Sequence, residues 1–336
     1  MLLWAGSGKN PFAPARTQNG PERRVMSMKE QREKKIFLNG EFVAEADAKV
    51  SVFDHGLLYG DGVFEGIRAY GGRVFRLEEH LERLFDSAKA IRLTIPLTLE
   101  ELTNAVLECC RINSLWDGYV RLVVTRGKGD LGLNPASCPK PTLFIIADAI
   151  RLYPPSVYER GLRLHTAAIR RVSSEALEPA IKSLNYLNNI LAKMEASASA
   201  SDESLLLNEQ GCVAECSGDN IFAFKHGELA TPPVSAGVLP GITRREILRL
   251  AREEGIHAVE RNMTRYDLLV ADEVFVTGTA AEIVPVIEID GISIATGKPG
   301  SLTQRLLLRF RALTRSTGPL IFSSARPVAA EAEQQQ

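Results

Sequence analysis

The chemistry of this chain starts at a lysine placed just ahead of an apolar helical repeat. In residues 181–193, IKSLNYLNNILAK, Lys182 follows the irregular segment SSEALEPA, and Leu184, Leu187, Ile190 and Leu191 recur after it at helix spacing. An amine packed among apolar neighbours loses the solvation that favours its charge, and the neutral form is the nucleophile that condenses with an aldehyde. Lys182 is therefore the candidate for covalent capture of an aldehyde. A lysine before a helix is by itself most often a surface residue, and three further segments change its standing.

The first is LPGITRRE, where Gly241 frees the backbone and Thr243 opens a helix. Unpaired amides and the positive end of the helix dipole make such a start an anion site suited to phosphate. A capping box of Thr243 with Glu246 would explain the same residues without a ligand. The second is VTGTAAE, residues 276–282, where a strand ends at Gly278 among small residues and leaves backbone donors and room for a close ligand. The third is VAECSGDNIF, in which Glu215 stands between a strand and a turn, placed to pair with a protonated ring nitrogen. A lone glutamate at a hairpin is usually just solvated.

Composition removes several classes of function. The 336 residues are 45% hydrophobic and 24% charged, with 40 basic against 41 acidic residues and a net charge of -1. No basic run is interleaved with aromatics, which argues against nucleic acid. No apolar run reaches the length of a membrane span, and MLLWAG is broken at once by Gly, Ser, Lys and Pro. Cys109, Cys110, Cys138, Cys212 and Cys216 are an odd set without CxxC spacing or a histidine at ligand spacing. They speak for a reducing compartment and against zinc, so the expected location is cytoplasmic, with no metal.

These segments need a scaffold, and its elements can be read in order. Residues 1–34 lack periodicity and are expected to be disordered, with Met26 and Met28 as alternative starts. IFLNGEFV is a hairpin turning at Asn39-Gly40, and GVFEGIRAY and RVFRL are strands joined at Gly71-Gly72. EEHLERLFDSAKAI is an amphipathic helix, and a second begins at Thr98 with Glu101 completing a capping box. Strands YVRLVVTRG and TLFIIADAI close a small α+β domain over 35–148. RLYPPSVYERG, with its Pro154-Pro155 pair, marks the linker, bounded at 149–160. A larger domain over 161–315 then holds LRLHTAAI, the lysine segment with its helix, two hairpins (the second turning at His226-Gly227), the helix GITRREILRLAREEG ending at Gly255, a short helix capped by Thr264, and the helix PGSLTQRLLLRFRAL. The tail from 316 is expected to be disordered.

IKSLNYLNNILAK, LNEQGCVAECSGDNIF, TPPVSAGVLPGITR and ADEVFVTGTAAEIVPV, with LLYGDGVFEGIRAY upstream, resemble the fold type IV (class IV) pyridoxal-phosphate-dependent aminotransferases, and most nearly the branched-chain amino acid aminotransferases. The resemblance runs from Ile36 to about Leu313. It implies a two-domain α+β fold of the D-amino acid aminotransferase type, with pyridoxal 5'-phosphate between the domains, and a homodimer.

It also implies roles by position. Lys182 matches the Schiff-base lysine and proton shuttle, and Glu215 the carboxylate that keeps the pyridine nitrogen protonated. Arg83, Ile242, Thr243 and Thr279 match the phosphate ligands, and Leu239 the residue packed on the ring. Tyr186 resembles the tyrosine near the phenolic oxygen, one residue nearer the lysine than in some members. Tyr59, Phe64, Tyr119, Arg121, Thr279 and Ala280 match the substrate positions, with Tyr59 reaching across the dimer. The implied reaction is reversible amino transfer between L-leucine, L-isoleucine or L-valine and 2-oxoglutarate. D-amino acid transamination and aminodeoxychorismate lysis are alternatives on the same fold. KSLN and PVIEIDG are shared with the D-specific relatives, but GKGDLGLNP stands where those carry an Arg-x-His pair. A non-catalytic binding protein is disfavoured by the joint presence of Lys182, Glu215 and Arg83.

Overall fold

The computed structural model describes residues 33–150 and 153–323. Nearly all of the N-terminal extension, with Met26 and Met28, and the tail after 323 lie outside the described residues. Among those described, the first half forms an antiparallel sheet of β1 (Lys35–Leu38), β2 (Glu41–Ala44), β3 (Gly62–Tyr70), β4 (Arg73–Val74), β5 (Gly118–Thr125) and β6 (Thr142–Asp148), in spatial order β2-β1-β6-β5-β3-β4. Its helices are α1 (His55–Tyr59), α2 (Leu77–Ala90) and α3 (Leu99–Ile112). The β1–β2 turn uses Asn39 at φ 52° and Gly40 at φ 100°, the left-handed pair that a two-residue hairpin of this twist requires. Thr98 and Glu101 exchange both capping-box hydrogen bonds at the start of α3. Leu81 and Leu84 of α2, Leu102 and Val106 of α3, and Val120, Leu122 and Val124 of β5 meet in one apolar core.

A short helix, α4 (Pro155–Arg160), leads into the second half. The stretch expected to be a plain linker thus carries an ordered turn. Pro155 presets its first turn, and Val157 is buried in the following core. The second sheet contains β7 (Leu162–Thr166), β8 (Glu203–Leu207), β9 (Val213–Cys216), β10 (Asn220–Lys225), β11 (Glu228–Thr231), β12 (His257–Glu260), β13 (Glu273–Gly278) and β14 (Glu282–Ile289), in the order β12-β11-β10-β13-β14-β7-β8-β9, with β15 (Ile292–Ser293) on β14. It is mixed: β7 runs parallel to both β14 and β8, and β11 parallel to β12, the remaining pairs being antiparallel. Helices α5 (Leu187–Ala198), α6 (Ile242–Glu253), α7 (Arg265–Leu269) and α8 (Ser301–Ser316) complete it. α6 and α8 cover one face over the stacked Phe222 and Phe275 rings.

The helix of the lysine segment begins at Leu187, leaving Leu184 of the repeat outside it, and its large apolar side chains do not face the core: Leu187, Ile190 and Met194 are more than half exposed, whereas Asn189, Ala192 and Ala196 are buried. Small residues let α5 approach the sheet closely, and its large apolar side chains are left pointing away. The tail does not begin at 316 either. Ile321 is buried in the first core, its N–H donates to the Gly72 carbonyl at 2.8 Å, and the Phe322 ring stacks on Trp116.

Candidate active site

Lys182 lies in an extended stretch before α5, held against the edge of β3. The Phe64 N–H donates to the Lys182 carbonyl at 3.0 Å, and the Leu184 N–H to the Gly62 carbonyl at 2.9 Å. The Lys182 N–H donates to Ser87 Oγ of α2 at 3.2 Å. With its backbone fixed on both sides, the side chain enters a cavity of about 570 Å³. There Nζ donates to the Tyr186 hydroxyl at 3.3 Å and lies 4.7 Å from the Phe64 ring centre.

Glu215, third residue of β9, faces the same cavity and is buried rather than solvated. Arg171 Nη2 meets its Oε1 at 2.8 Å, and Oε2 accepts from the Leu239 N–H at 3.0 Å and from Asn220 Nδ2 at 3.1 Å. Burial pushes the Glu215 carboxyl above its usual range, against the pull of Arg171. Such a carboxyl can share a proton with a ring nitrogen brought up to it.

At the start of α6 the alternative explanation fails. Gly241 is the cap residue and supplies no side chain, and Glu246 turns away to Arg76 at 2.9 Å and to Arg249. Thr243 therefore forms no capping box, and the first-turn amides remain available to an anion. Ile242 and Thr243 line the cavity there. A Cβ on Gly241 would come within 2.0 Å of Asn220 Oδ1, so any larger residue there must displace the Asn220 side chain. Arg83, from α2, reaches the cavity from the other sheet. It gives Nε and Nη2 to Glu65 and Nη1 to the Pro240 carbonyl at 3.0 Å. Three of its five N–H groups are thereby engaged, and two remain for a ligand.

Phe64, Tyr119 and Arg121 together line another part of the cavity wall, and Thr279 and Ala280 lie beyond the end of β13. The Arg121 guanidinium stacks 4.6 Å from the Phe64 ring centre and 5.3 Å from that of Tyr119. Of the residues expected from the sequence, only Tyr59 does not line the cavity. It is exposed, and its hydroxyl donates to the Leu131 carbonyl.

Several cavity and supporting residues were not anticipated: Arg171, Asn220 and Asp219 around Glu215, Glu65 and His80 behind Arg83, Tyr153 from the supposed linker, and Thr277. Thr277 Oγ1 is buried without a hydrogen-bond partner in the protein, an orphaned polar atom of the kind a bound group satisfies. A phosphorylated aromatic aldehyde fits this donor set: an amine for the aldehyde, a carboxyl for the ring nitrogen, and amides, a hydroxyl and an arginine for the phosphate.

Residues 62–289 match the model of the family described as amino-transferase class IV. The chain is 55% identical over 288 residues to "Putative branched-chain-amino-acid aminotransferase" of Methanocaldococcus jannaschii, covering 86% of this chain and 99% of that protein. It resembles the crystal structure of the Escherichia coli branched-chain amino acid aminotransferase with TM-score 0.83 at 37% identity, over 85% of this chain and 96% of that one. A similar likeness, TM-score 0.77 at 30% identity over 85% and 95%, is to the branched-chain amino acid aminotransferase of Thermobaculum terrenum in its PLP form.

Proposed function

The chain belongs to the class IV aminotransferases and is a branched-chain amino acid aminotransferase dependent on pyridoxal phosphate; we propose that Lys182 holds that cofactor and that L-leucine, L-isoleucine and L-valine exchange their amino group with 2-oxoglutarate in the cavity around it. When bound, the cofactor supplies the electrophilic aldehyde and the electron-withdrawing ring. The protein's residues do the rest. Lys182 Nζ, once displaced by the substrate amine, would stay within reach as the base that takes the Cα proton and delivers it to the carbon that had been the aldehyde. Tyr186, 3.3 Å from Nζ, orients that amine. Glu215, fixed by Arg171 and the Leu239 amide, holds a proton at the ring nitrogen. The α6 start, Thr243, Thr279 and Arg83 would bind the cofactor's phosphate, and Leu239 would pack on its ring.

The observation that supports the substrate pair is Arg121. Among the described residues no carboxylate forms an ion pair with it, and its guanidinium lies on the aromatic wall. Phe64 and Tyr119 offer an apolar surface to a branched side chain, while the adjacent cation offers a partner to the second carboxylate of glutamate or 2-oxoglutarate. One pocket can thus serve both half-reactions. The amides of Thr279 and Ala280 take the α-carboxylate.

The active unit in this proposal is a homodimer. Leu57, Leu131, Leu133, Leu187 and Met194 are strongly exposed, and Asn185 Nδ2 donating to the Gly60 carbonyl at 3.1 Å joins the helix side of this surface to α1. A second copy covers these side chains and brings each Tyr59 to the other chain's cavity. Residues 35–148 and 161–315 act as the smaller and larger domains. All five cysteines are free and no helix among the described residues is long and apolar enough to cross a membrane; we place the enzyme in the cytoplasm. Initial rates with L-leucine, L-glutamate and D-alanine as donors test the assignment. Turnover of the two L-donors with none for D-alanine is expected; the reverse pattern would overturn it.

A further inference from the structure

The cavity also holds a buried acid that the reaction above does not use. Asp219 follows β9 and is buried, and its Oδ1 lies so close to Gly278 that a Cβ there would come within 2.0 Å of it. Gly278 immediately precedes Thr279 and Ala280, so the Asp219 carboxyl backs the turn assigned to the substrate carboxylate. The basic side chains around it are engaged elsewhere: Lys193 of α5 with Glu203 of β8 at 2.8 Å, Arg171 with Glu215 of β9 at 2.8 Å, and, at the docking turn itself, Arg68 of β3, whose Nη1 donates to the Ala280 carbonyl at 3.1 Å and whose Nη2 lies 3.9 Å from Glu282. The Tyr153 hydroxyl, within hydrogen-bonding range of Asp219 and 3.3 Å from Glu203 Oε2, and the buried thiol of Cys216 are uncharged neighbours, and the Tyr158 hydroxyl of α4 is turned to the Ala281 carbonyl at 3.0 Å.

Each of these cations is engaged by another group, and among the described residues no ion pair involves Asp219. An ionised carboxylate buried without a counter-ion is costly, and the group neutralises instead. Burial, reinforced by Glu203, pushes Asp219 up to about 7. A substrate carboxylate arriving on the other side of Gly278 adds a further negative charge to the same region and favours the proton more strongly.

We propose that Asp219 is a positioning residue that couples carboxylate binding to proton uptake: a substrate carboxylate docks at the Thr279–Ala280 turn only against neutral Asp219, so one proton moves from solvent to the Asp219 carboxyl oxygen as the ligand enters and returns as it leaves. The coupling rests on the proposed docking of the α-carboxylate at that turn. Because the ligand binds the protonated form, affinity falls as pH rises through the Asp219 titration, by up to about tenfold per pH unit.

The test uses the cofactor-loaded enzyme and 4-methylvalerate, a branched carboxylate without an amine. Calorimetry in two buffers of different ionisation enthalpy counts protons taken up on binding near neutral pH, and the share taken by the cofactor is read from its visible band and subtracted. The wild-type protein is expected to show a positive remainder. Asp219→Asn is expected to abolish it and to remove the corresponding loss of affinity with rising pH. Tyr153→Phe, which removes a hydrogen bond that favours the ionised form, is expected to keep the uptake and move it to higher pH. Should the Asp219 variant fail to fold, the wild-type remainder and the gain of a protonated-carboxyl stretch in the infrared difference spectrum still decide. Binding with no remainder overturns the coupling and leaves the site assignment standing. No binding of 4-methylvalerate overturns both.

Discussion

Arg83 and Glu65 meet in a two-pronged ion pair, with Arg83 Nε donating to Oε1 at 2.7 Å and Nη2 to Oε2 at 2.9 Å. His80 Nδ1 also lies 2.8 Å from Oε2, and the Glu65 side chain is wholly buried. The pair fixes the plane of the guanidinium, and with it the direction in which its two free N–H groups point.

Burial alone would raise the Glu65 carboxyl, but Arg83 and His80 outweigh it and hold the group well below the usual carboxylate range. Burial in turn lowers His80 and favours its neutral form. A carboxylate with a depressed folded value contributes stability that is complete above its unfolded value and is lost as pH falls toward the folded one. Glu65→Gln, which leaves Arg83 buried without its anion, is expected to destabilise the protein by about 3 kcal/mol at neutral pH. Thermal unfolding across pH checks it: the gap to wild type should persist at neutral pH and shrink only below about pH 4.

Gly241→Ala is expected to damage cofactor binding more than folding. Its Cβ would displace the Asn220 side chain, whose Nδ2 holds both Glu215 Oε2 and the Leu239 carbonyl at 3.0 Å. Two of the proposed cofactor contacts, Glu215 and Leu239, would shift together. Fluorescence titration of the apoprotein with pyridoxal phosphate should show affinity reduced about tenfold or more, a cost of roughly 1.4 kcal/mol.

Leu187→Glu combined with Met194→Glu places charge on the exposed face of α5, where neither side chain supports the chain's own core. Sedimentation should show a dimer for wild type and a monomer for the variant. Activity should fall with the dimer, because in the proposed assembly Tyr59 reaches a cavity only from a second copy; a monomeric variant with full activity would remove that role.

The elements that the sequence predicts well are those with local causes. Asn39-Gly40 and His226-Gly227 turn their hairpins through positive φ, and Thr98 and Thr264 cap their helices through side chains three residues on. The Thr243–Glu246 box has the same spacing and fails, because Arg76 and Arg249 offer Glu246 a stronger, charged partner that local pattern cannot show. The cavity residues found by motif sit where backbone geometry is constrained, as at Gly241 and Gly278. Those missed, such as Arg171 beside Glu215, Glu65 beneath Arg83 and Tyr153 beside Glu203, are defined by partners brought together only by the fold. The apolar repeat after Lys182 was legible as a helix but not as a surface, since periodicity reports a face without saying what covers it.

The central claim is that one amine holds the cofactor, and the cavity contains a second lysine as an internal control. Lys193 is tied to the Asp202 carbonyl at 2.7 Å and to Glu203 at 2.8 Å, while Lys182 Nζ meets the Tyr186 hydroxyl. Borohydride reduction of the cofactor-loaded protein, followed by peptide mass analysis, should place the phosphopyridoxyl mass on the peptide containing Lys182 and leave Lys193 free. An unmodified Lys182, or the label on Lys193, would contradict the account.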